Sequence, residues 1–158
     1  MQIEIRPLTY SDTKAIWSIN EEGLPGTGKV SEQEVNSLLE FSSYAIGAYV
    51  EGSLAGFVIC LPPNTEYGSL NYAWFNENMA DFLYVDRIAV AQIHRDKGIG
   101  SRLYSHIIEY SSKQIAAEVS LNPPNLASMR FHGRFDFEKI GELHHETYSV
   151  NLMLRKAE

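Results

Sequence analysis

The segment that most constrains the fold is a strand, a glycine-rich turn and a helix in succession. Residues 82–90 are β-forming apolar residues interrupted only by Asp86 and Arg87. Glycines in the turn at 98–100 can bend the chain and leave successive N–H groups at a helix N-terminus, where they form a cradle for an anion. The helix is predicted from apolar residues at helical spacing, namely Ile99, Leu103, Ile107 and Tyr110.

Elsewhere the sequence alternates predicted strands and helices. Ser31 and Glu34 have the spacing of a capping box, which predicts the start of a helix. Residues 44–50 and 54–61 are rich in β-forming side chains, and Gly52 between them can supply the positive φ of a tight turn, so we predict an antiparallel hairpin. The other predicted elements are strands at 3–6, 118–121, 137–143 and 148–154 and helices at 11–20 and 125–135.

Length and composition are typical of a globular domain. The chain has 158 residues, 44% of them hydrophobic, and a chain of this size buries about 68–70% of its unfolded surface without needing cross-links. Residues 1–158 are therefore expected to form one domain. Cys60 is the only cysteine, so an intramolecular disulfide and a multi-cysteine zinc site are excluded. This cysteine usage suits a reducing, cytoplasmic environment.

Hydropathy and charge argue against two kinds of partner. No apolar run approaches the roughly 18 residues of a membrane helix, and the first residues do not have the pattern of a signal peptide. Thirteen Lys and Arg against twenty Asp and Glu give a net charge of −7, which is unfavourable for binding a polyanion. We therefore expect neither a membrane nor a nucleic acid as a partner, whereas a cationic amine suits the negative field.

Another glycine cluster, at residues 23–30, has the glycine spacing of a nucleotide-binding P-loop but not its chemistry. Val30 occupies the position at which a Ser or Thr hydroxyl would hold Mg²⁺. The preceding segment is predicted to be helical, whereas a P-loop follows a strand. We interpret residues 23–30 as a flexible loop at the edge of a substrate pocket.

Two motifs resemble those of the GCN5-related N-acetyltransferase (GNAT) superfamily. Arg95, Gly98 and Gly100 are similar to the Arg-x-x-Gly-x-Gly loop that binds pyrophosphate in that family. The order of predicted strands and helices also agrees with the family over essentially the whole chain. Asn125-Leu126-Ala127-Ser128, Phe131-His132 and Phe137 resemble the second motif, in which the family commonly has Asn-x-x-Ala, Leu-Tyr and Gly-Phe. Asp136 departs from this pattern, since the family usually has glycine before the phenylalanine.

The resemblance implies an α/β fold, the single-domain acyl-CoA N-acyltransferase (GNAT) fold, with a mixed central sheet flanked by helices. Acetyl-CoA would lie in a cleft between two splayed parallel strands at 81–90 and 117–121. Backbone groups of the first strand would pair with the pantetheine arm like an added strand, and amides of the glycine loop would hold the pyrophosphate. The cofactor-binding residues implied are Ile88, Ala89, Val90, Arg95, Asp96, Lys97, Gly98, Ile99, Gly100, Ser101, Asn125 and Ser128.

His132 is the first candidate catalytic residue. It stands where the family often has a tyrosine that protonates the leaving thiolate. An imidazole can exchange a proton near neutral pH, so His132 is one candidate for that acid. The alternative is that His132 merely packs on its helix, and in that case Tyr84 or a water becomes the candidate acid.

Asp86 is the other candidate, because a carboxylate in a half-buried strand needs either a partner or a chemical task. The period of two puts Asp86 on the same strand face as Tyr84 and Ile88. One interpretation makes Asp86 the base that neutralises an ammonium substrate. The other pairs it with an arginine or a helix end.

The segment of about twenty residues before the strand at 82–90 is predicted to be a loop. It combines aromatic faces, which attract cations, with amide and acidic groups that can bind the surroundings of an amine. We predict that Asn71, Tyr72 and Trp74 line the acceptor side of the cleft. The alternative is a loop whose Trp74 and Phe75 point inward and cover the core.

These features favour an acetyl-CoA-dependent N-acetyltransferase that transfers the acetyl group directly to a primary amine of a small molecule or peptide. Direct transfer needs no protein nucleophile, and Cys60 is interpreted as a core residue. The alternative is a non-catalytic acyl-CoA-binding sensor of the same fold. No metal is predicted, since the histidines lack a ligand spacing with carboxylates, and the oligomeric state stays open, with a homodimer as one arrangement.

Overall fold

Seven strands and five α-helices build the part of the chain that the computed structural model describes, residues 2–157; Met1 and Glu158, the ends of the predicted domain, lie outside the described residues. No helix within this part is long and apolar enough to cross a membrane. The strands are β1 (Ile3–Pro7), β2 (Tyr44–Val50), β3 (Ser53–Leu61), β4 (Leu83–Val90), β5 (Ile115–Asn122), β6 (Glu138–His144) and β7 (Ser149–Arg155). The helices are α1 (Thr13–Glu22), α2 (Glu32–Phe41), α3 (Leu70–Asn78), α4 (Ile99–Tyr110) and α5 (Leu126–Arg134).

The strands form one mixed sheet in the order β1-β2-β3-β4-β5-β7-β6. All neighbouring pairs are antiparallel except β4 and β5, which helix α4 connects as a parallel pair. This pair is short: Leu83 faces Ile115 and Tyr84 faces Ala116, and beyond these residues the two strands diverge. The mixed sheet and the cleft between two splayed parallel strands are confirmed.

Helices cover both faces of the sheet, so the central strand β3 is apolar along nearly its whole length. Residues of α1, α2 and α3 pack on one face against Phe57 and Ile59. Residues of α4 pack on the other face against Val58 and Cys60. Cys60 is fully buried, which confirms its interpretation as a core residue.

A β-bulge at Asp86 changes the direction of the side chains in β4. Val85 and Arg87 pair with consecutive residues of β3, so Asp86 is an additional residue in its strand. Tyr84 therefore packs into the core under α1 to α3, whereas Ile88 packs into the core under α4. The prediction that Tyr84, Asp86 and Ile88 share one face is wrong, because one inserted residue reverses the alternation.

Local sequence signals place several elements correctly. The predicted capping box is present, with Glu34 N–H donating to Ser31 Oγ at 3.1 Å and Ser31 N–H donating to Glu34 Oε1 at 3.0 Å. The predicted hairpin is β2 and β3, and its turn has Gly52 at φ +81°. Strand β5 is longer than predicted, because alanines at its start carry little β-propensity and are held by their neighbours in the sheet.

Helix α3 lies inside the segment predicted to be a loop, and that prediction is wrong. Ser69 caps the helix by accepting a hydrogen bond from Tyr72 N–H at 3.3 Å. Tyr72 and Phe75, three residues apart, point into the core. The helix contains three asparagines, which are poor helix formers, so tertiary packing rather than propensity stabilises it.

Candidate active site

Two cavities meet where β4 and β5 diverge. The first, which we call the cofactor cleft, is about 430 Å³ and lies between the end of β4, the start of α4 and helix α5. The second, the acceptor cavity, is about 280 Å³ and is bounded by the loop after α1, by β4 and β5, and by the residues around the start of α3. Ile88, Ser128 and His132 line both. A group that passes from one cavity to the other must cross at these three residues.

The cofactor cleft has a free strand edge. Beyond Tyr84, β4 is paired with β3 on one side, and within residues 2–157 no strand pairs with its other side. Ile88, Ala89 and Val90 line the cleft and leave backbone N–H and C=O groups for an extended ligand. This edge fits the pantetheine arm that the resemblance implies.

The glycine loop places the N-terminus of α4 at the same cleft. Gly98 precedes the helix with φ +77°, and Asp96 has φ +63°, so the chain turns through left-handed conformations that favour glycine. Arg95 Nε donates to Val90 O at 3.2 Å and ties the loop to the end of β4. The predicted residues of the loop that line the cleft are Arg95, Asp96, Gly98, Ile99, Gly100 and Ser101.

Two predicted cofactor residues do not line either cavity. Lys97 extends its ammonium group to Ile93 O, at 3.4 Å. Asn125 caps α5, and its Oδ1 accepts from Ser128 N–H at 3.1 Å. The position of Ser128 at the junction therefore depends on the cap that Asn125 provides.

Glu118 of β5 is a site residue that the sequence analysis missed. Its carboxylate lines the acceptor cavity and accepts hydrogen bonds from Tyr84 Oη at 2.6 Å and from Asn71 Nδ2 at 3.3 Å. Burial raises the pKa of Glu118 to about 7, against the two hydrogen bonds, which lower it. A carboxylate with a pKa close to neutral is suited to general-base chemistry. The signal was available, because Glu118 is the only charged residue in β5.

Asp86 is engaged in a buried ion pair. Its Oδ2 is 2.7 Å from Arg87 Nε, and the two side chains are 3% and 7% exposed. Arg87 Nη1 also donates to Asn20 Oδ1 at 3.1 Å and to Gly28 O at 3.0 Å. Of the two sequence interpretations, the structure therefore has the arginine partner. Arg87 thus holds residues 23–30 against the acceptor cavity, which Gly26 to Gly28 line. That these residues form a flexible loop beside a substrate stays a prediction.

His132 is buried, with both ring nitrogens in hydrogen bonds. Nδ1 lies 2.8 Å from Ser128 O and, since a carbonyl oxygen only accepts, Nδ1 carries the proton. Nε2 lies 2.6 Å from Tyr104 Oη, within hydrogen-bond distance. Burial lowers the pKa of His132, against the hydrogen bond to Ser128 O, which raises it. Tyr104, from α4, was not singled out by the sequence.

The three predicted acceptor contacts separate in the structure. Asn71 lines the acceptor cavity beside Glu118. Tyr72 is fully buried under α3, and Trp74 packs on the core edge-to-face with Phe75 at 5.2 Å between ring centroids. Neither lines the cavity, so the assignment of Tyr72 and Trp74 is corrected to that of core residues. The aromatic rings at the cavity are those of Tyr67, Tyr104 and Tyr148.

The chain belongs to the acetyltransferase (GNAT) family, whose sequence model matches residues 13–137. No curated protein is similar enough in sequence to count as a relative. Within residues 2–157, no three His, Cys, Asp or Glu side chains lie close enough together to hold a metal ion.

Solved structures agree with the fold over the full chain. Ard1 from Thermoplasma volcanium has a TM-score of 0.80 at 17% identity and covers 100% of this chain and 99% of its own. Arabidopsis thaliana NAA60, solved with acetyl-CoA and with a bisubstrate analogue, has a TM-score of 0.78 at 17% identity, covering 98% of this chain. The match covers 98% and 99% of the NAA60 chain in the two structures. Arabidopsis Naa50, solved with the bisubstrate analogue CoA-Ac-MVNAL, has a TM-score of 0.75 at 17% identity and 99% coverage of both chains. At these identities the likeness establishes the fold.

Proposed function

We propose that the protein is an acetyl-CoA-dependent N-acetyltransferase that acts on the primary amine of a peptide or small molecule. One observation carries the proposal: the cofactor cleft opens, at Ile88, Ser128 and His132, into a cavity that holds the carboxylate of Glu118. An acetyl donor in the first cavity and an amine in the second would meet at this junction. Family membership supports the same reaction type.

The residues of the cofactor cleft fit acetyl-CoA, which supplies the thioester. The free edge of β4 offers main-chain hydrogen bonds to an amide-bearing arm, and the N-terminus of α4 offers N–H groups to a pyrophosphate. Backbone N–H groups near Val90 would stabilise negative charge on the thioester carbonyl oxygen. NAA60, which shares this fold, was solved with acetyl-CoA.

Glu118 is the proposed base. The carboxylate lies in the acceptor cavity, and its pKa of about 7 lets it accept a proton at neutral pH without holding it too tightly afterwards. Asp86 is less suited to the task, because Arg87 already holds its carboxylate. Glu118 would therefore remove the proton that an ammonium substrate must lose before or during attack.

His132 and Tyr104 together are the proposed source of the proton for the leaving thiolate: one N–H or O–H proton of the pair passes to the thiolate sulfur, and the pair regains a proton from solvent after CoA leaves. His132 lines both cavities, and its contact with Tyr104 places a phenol hydroxyl beside the imidazole where the family often has a single tyrosine. The assignment of His132 as an acid stays a prediction. If the pair acts as a unit, each member is needed.

A peptide acceptor is favoured over a small amine by the shape beyond the acceptor cavity. A further cavity of about 580 Å³ lies outside it, between α2 and the start of α3. The two cavities share Gly28, Tyr67, Ser69, Arg87 and Tyr148, so a substrate can extend from one into the other. Naa50 and NAA60 were both solved with bisubstrate analogues, and that of Naa50 carries a peptide.

The test is release of free CoA from acetyl-CoA with a panel of acceptors: peptides with free N-termini, peptides with a single internal lysine, polyamines and amino acids. We expect turnover with at least one N-terminal peptide and its loss in Glu118→Gln. Tight binding of acetyl-CoA without turnover of any acceptor would instead favour the sensor of the same fold. Turnover confined to small amines would remove the peptide preference and leave the reaction type in place.

A further inference from the structure

A chain of hydrogen bonds connects Glu118 to the turn between β6 and β7. Asn71 Nδ2 donates to Glu118 Oε1 at 3.3 Å, and Asn71 Oδ1 lies 2.8 Å from His145 Nε2. The imidazole of His145 stacks on the ring of Tyr148, with 4.6 Å between the centroids. Backbone N–H of His145 also donates to Tyr148 O at 2.8 Å, which closes the turn.

The chemistry of the three side chains fixes which group donates and which accepts in each of these hydrogen bonds. A carboxylate only accepts hydrogen bonds, so Asn71 must present its amide nitrogen to Glu118 and its amide oxygen to His145. The oxygen in turn requires a donor, so His145 presents Nε2–H, which both the Nε2 tautomer and the imidazolium carry. If the amide turned over, its oxygen would face the carboxylate and repel it.

We propose that His145 is a positioning residue for Glu118, because its Nε2–H locks the amide of Asn71 in the orientation that donates to the Glu118 carboxylate. The proposal rests on the assignment of Glu118 as the base. In effect, the turn between β6 and β7 controls the proton affinity of a group on β5. Tyr148 stacks on the imidazole of His145 and also lines the acceptor cavity. The hydrogen-bonded series from His145 to Glu118 therefore lies beside this cavity.

Other groups around Glu118 set the background on which His145 acts. Tyr84 of β4 donates a hydrogen bond to the carboxylate, and Arg87 stabilises its charge, whereas Asp86 opposes it. The hydroxyls of Tyr67 and of Tyr104 on α4 also feel the charge of Glu118. Substitution of His145 leaves these groups unchanged and removes the donor that orients Asn71, together with the ring that stacks on Tyr148. The expected result is a higher pKa of Glu118.

The experiment measures the carboxyl ¹³C resonance of Glu118 against pH in the free protein, without any acceptor. Protein labelled at glutamate Cδ is titrated, and the resonance is assigned by its loss in Glu118→Gln. The variants are His145→Leu, which has no donor, and His145→Gln, whose amide can donate to Asn71. His144→Ala is the matched control, since His144 lies in the neighbouring position and contacts Glu142 instead. Thermal unfolding of each variant verifies that it is folded.

We expect His145→Leu to raise the midpoint of Glu118 by about one pH unit, which is the size of a hydrogen bond to a charged group. His145→Gln should restore most of the wild-type midpoint, and His144→Ala should leave it in place. Equal midpoints in the wild type and His145→Leu, or equal shifts in His145→Leu and His145→Gln, would overturn the proposal.

A second comparison keeps the test valid if His145→Leu disturbs the turn. Asn71→Ala should raise the midpoint of Glu118 by itself, and His145→Leu in the Asn71→Ala background should add no further rise, because the two residues act in one chain. Additive shifts would overturn the proposal. A different measurement tests the proposed function: full turnover by Glu118→Gln would contradict it. That result would not change the midpoints of Glu118 measured in the wild type and in the His145 and Asn71 variants.

Discussion

The cofactor cleft and the acceptor cavity lie side by side but are built in different ways. The cofactor cleft comes mainly from one continuous stretch, residues 88–101, and it offers backbone groups. The acceptor cavity combines side chains from segments far apart in the sequence, including Tyr67, Asp86, Glu118 and Tyr148. A site that binds its ligand through backbone atoms depends on glycines and helix ends, which can be recognised in the sequence as a local motif. A site made of side chains depends on how distant elements pack, and it has no local sequence motif.

The two regions also differ in what stabilises them. The cofactor cleft contains the N–H groups at the N-terminus of α4, which any anion or water can satisfy. The acceptor cavity contains the ion pair of Asp86 and Arg87 and the carboxylate of Glu118, all largely withdrawn from solvent. Substitutions in the acceptor cavity should therefore act on chemistry and stability, and those in the cofactor cleft on acetyl-CoA affinity.

Glu118→Gln is expected to distinguish the acceptor cavity from the cofactor cleft most strongly. Removal of the base should lower kcat by about 10²–10⁴-fold and leave acetyl-CoA affinity unchanged, since the carboxylate is outside the cofactor cleft. In the wild type, kcat/KM should fall about tenfold per pH unit below about 7, because protonation of Glu118 removes the base. Steady-state kinetics and calorimetry with acetyl-CoA measure the two effects. A normal rate in Glu118→Gln would assign the base elsewhere.

Arg87→Met should have the largest effect on stability. It leaves the carboxylate of Asp86 buried without its cation and releases the loop at Gly28, and the loss of one partner of a buried ion pair costs about 3–5 kcal/mol. Chemical denaturation measures this loss. In the folded fraction the KM of the acceptor should rise more than that of acetyl-CoA, and an equal rise in both would mean that the ion pair supports both cavities.

The junction of the two cavities is tested by His132→Phe and Tyr104→Phe. If the pair supplies a proton as a unit, each variant should lower kcat by about 10²-fold, and the double variant should lower it little further. If Tyr104→Phe is as fast as the wild type while His132→Phe is slow, then His132 acts alone. Wild-type rates in both would remove the pair from the reaction.

A comparison of two glycines with nearly the same φ tests the role of the cofactor cleft by itself. Gly98 and Gly52 have φ of +77° and +81°, and at neither position would a Cβ atom meet another atom within 4 Å. Valine at either position should cost about 1–2 kcal/mol of stability through backbone strain. Gly98→Val should in addition weaken acetyl-CoA binding by about tenfold or more, whereas Gly52→Val should not. Calorimetry on both variants decides this, and equal affinities would contradict the assignment of the glycine loop.

The smallest effect is a pH dependence of stability that belongs to the acceptor cavity alone. The pKa of Glu118 is about 7 in the folded protein and 4.5 without the fold, so between these pH values the native state binds more protons than the unfolded state. The contribution of Glu118 to the free energy of unfolding therefore falls as the pH rises from about 4.5 to about 7. Glu118→Gln should remove this slope. Unchanged pH dependence in the variant would contradict the raised pKa.

Elements with strong local signals were predicted correctly because their stability is decided within a few residues. The capping box at Ser31 depends on hydrogen bonds between residues three positions apart, and the turns at Gly52 and Gly98 depend on a positive φ that glycine adopts without strain. Helix α3 was missed because its asparagines weaken the helical signal and its inward face has only Tyr72 and Phe75 at helical spacing.

The sequence by itself therefore determined the cofactor half of the protein: the strand, the glycine loop and the helix that together expose backbone groups at one cleft, and the family to which the chain belongs. Only the tertiary structure decided the acceptor half. The bulge at Asp86 redirected β4, burial raised the pKa of Glu118, and packing joined Asn71 to His145 across 74 positions of the chain. These effects depend on desolvation and on contacts between distant segments, which neither spacing nor composition records.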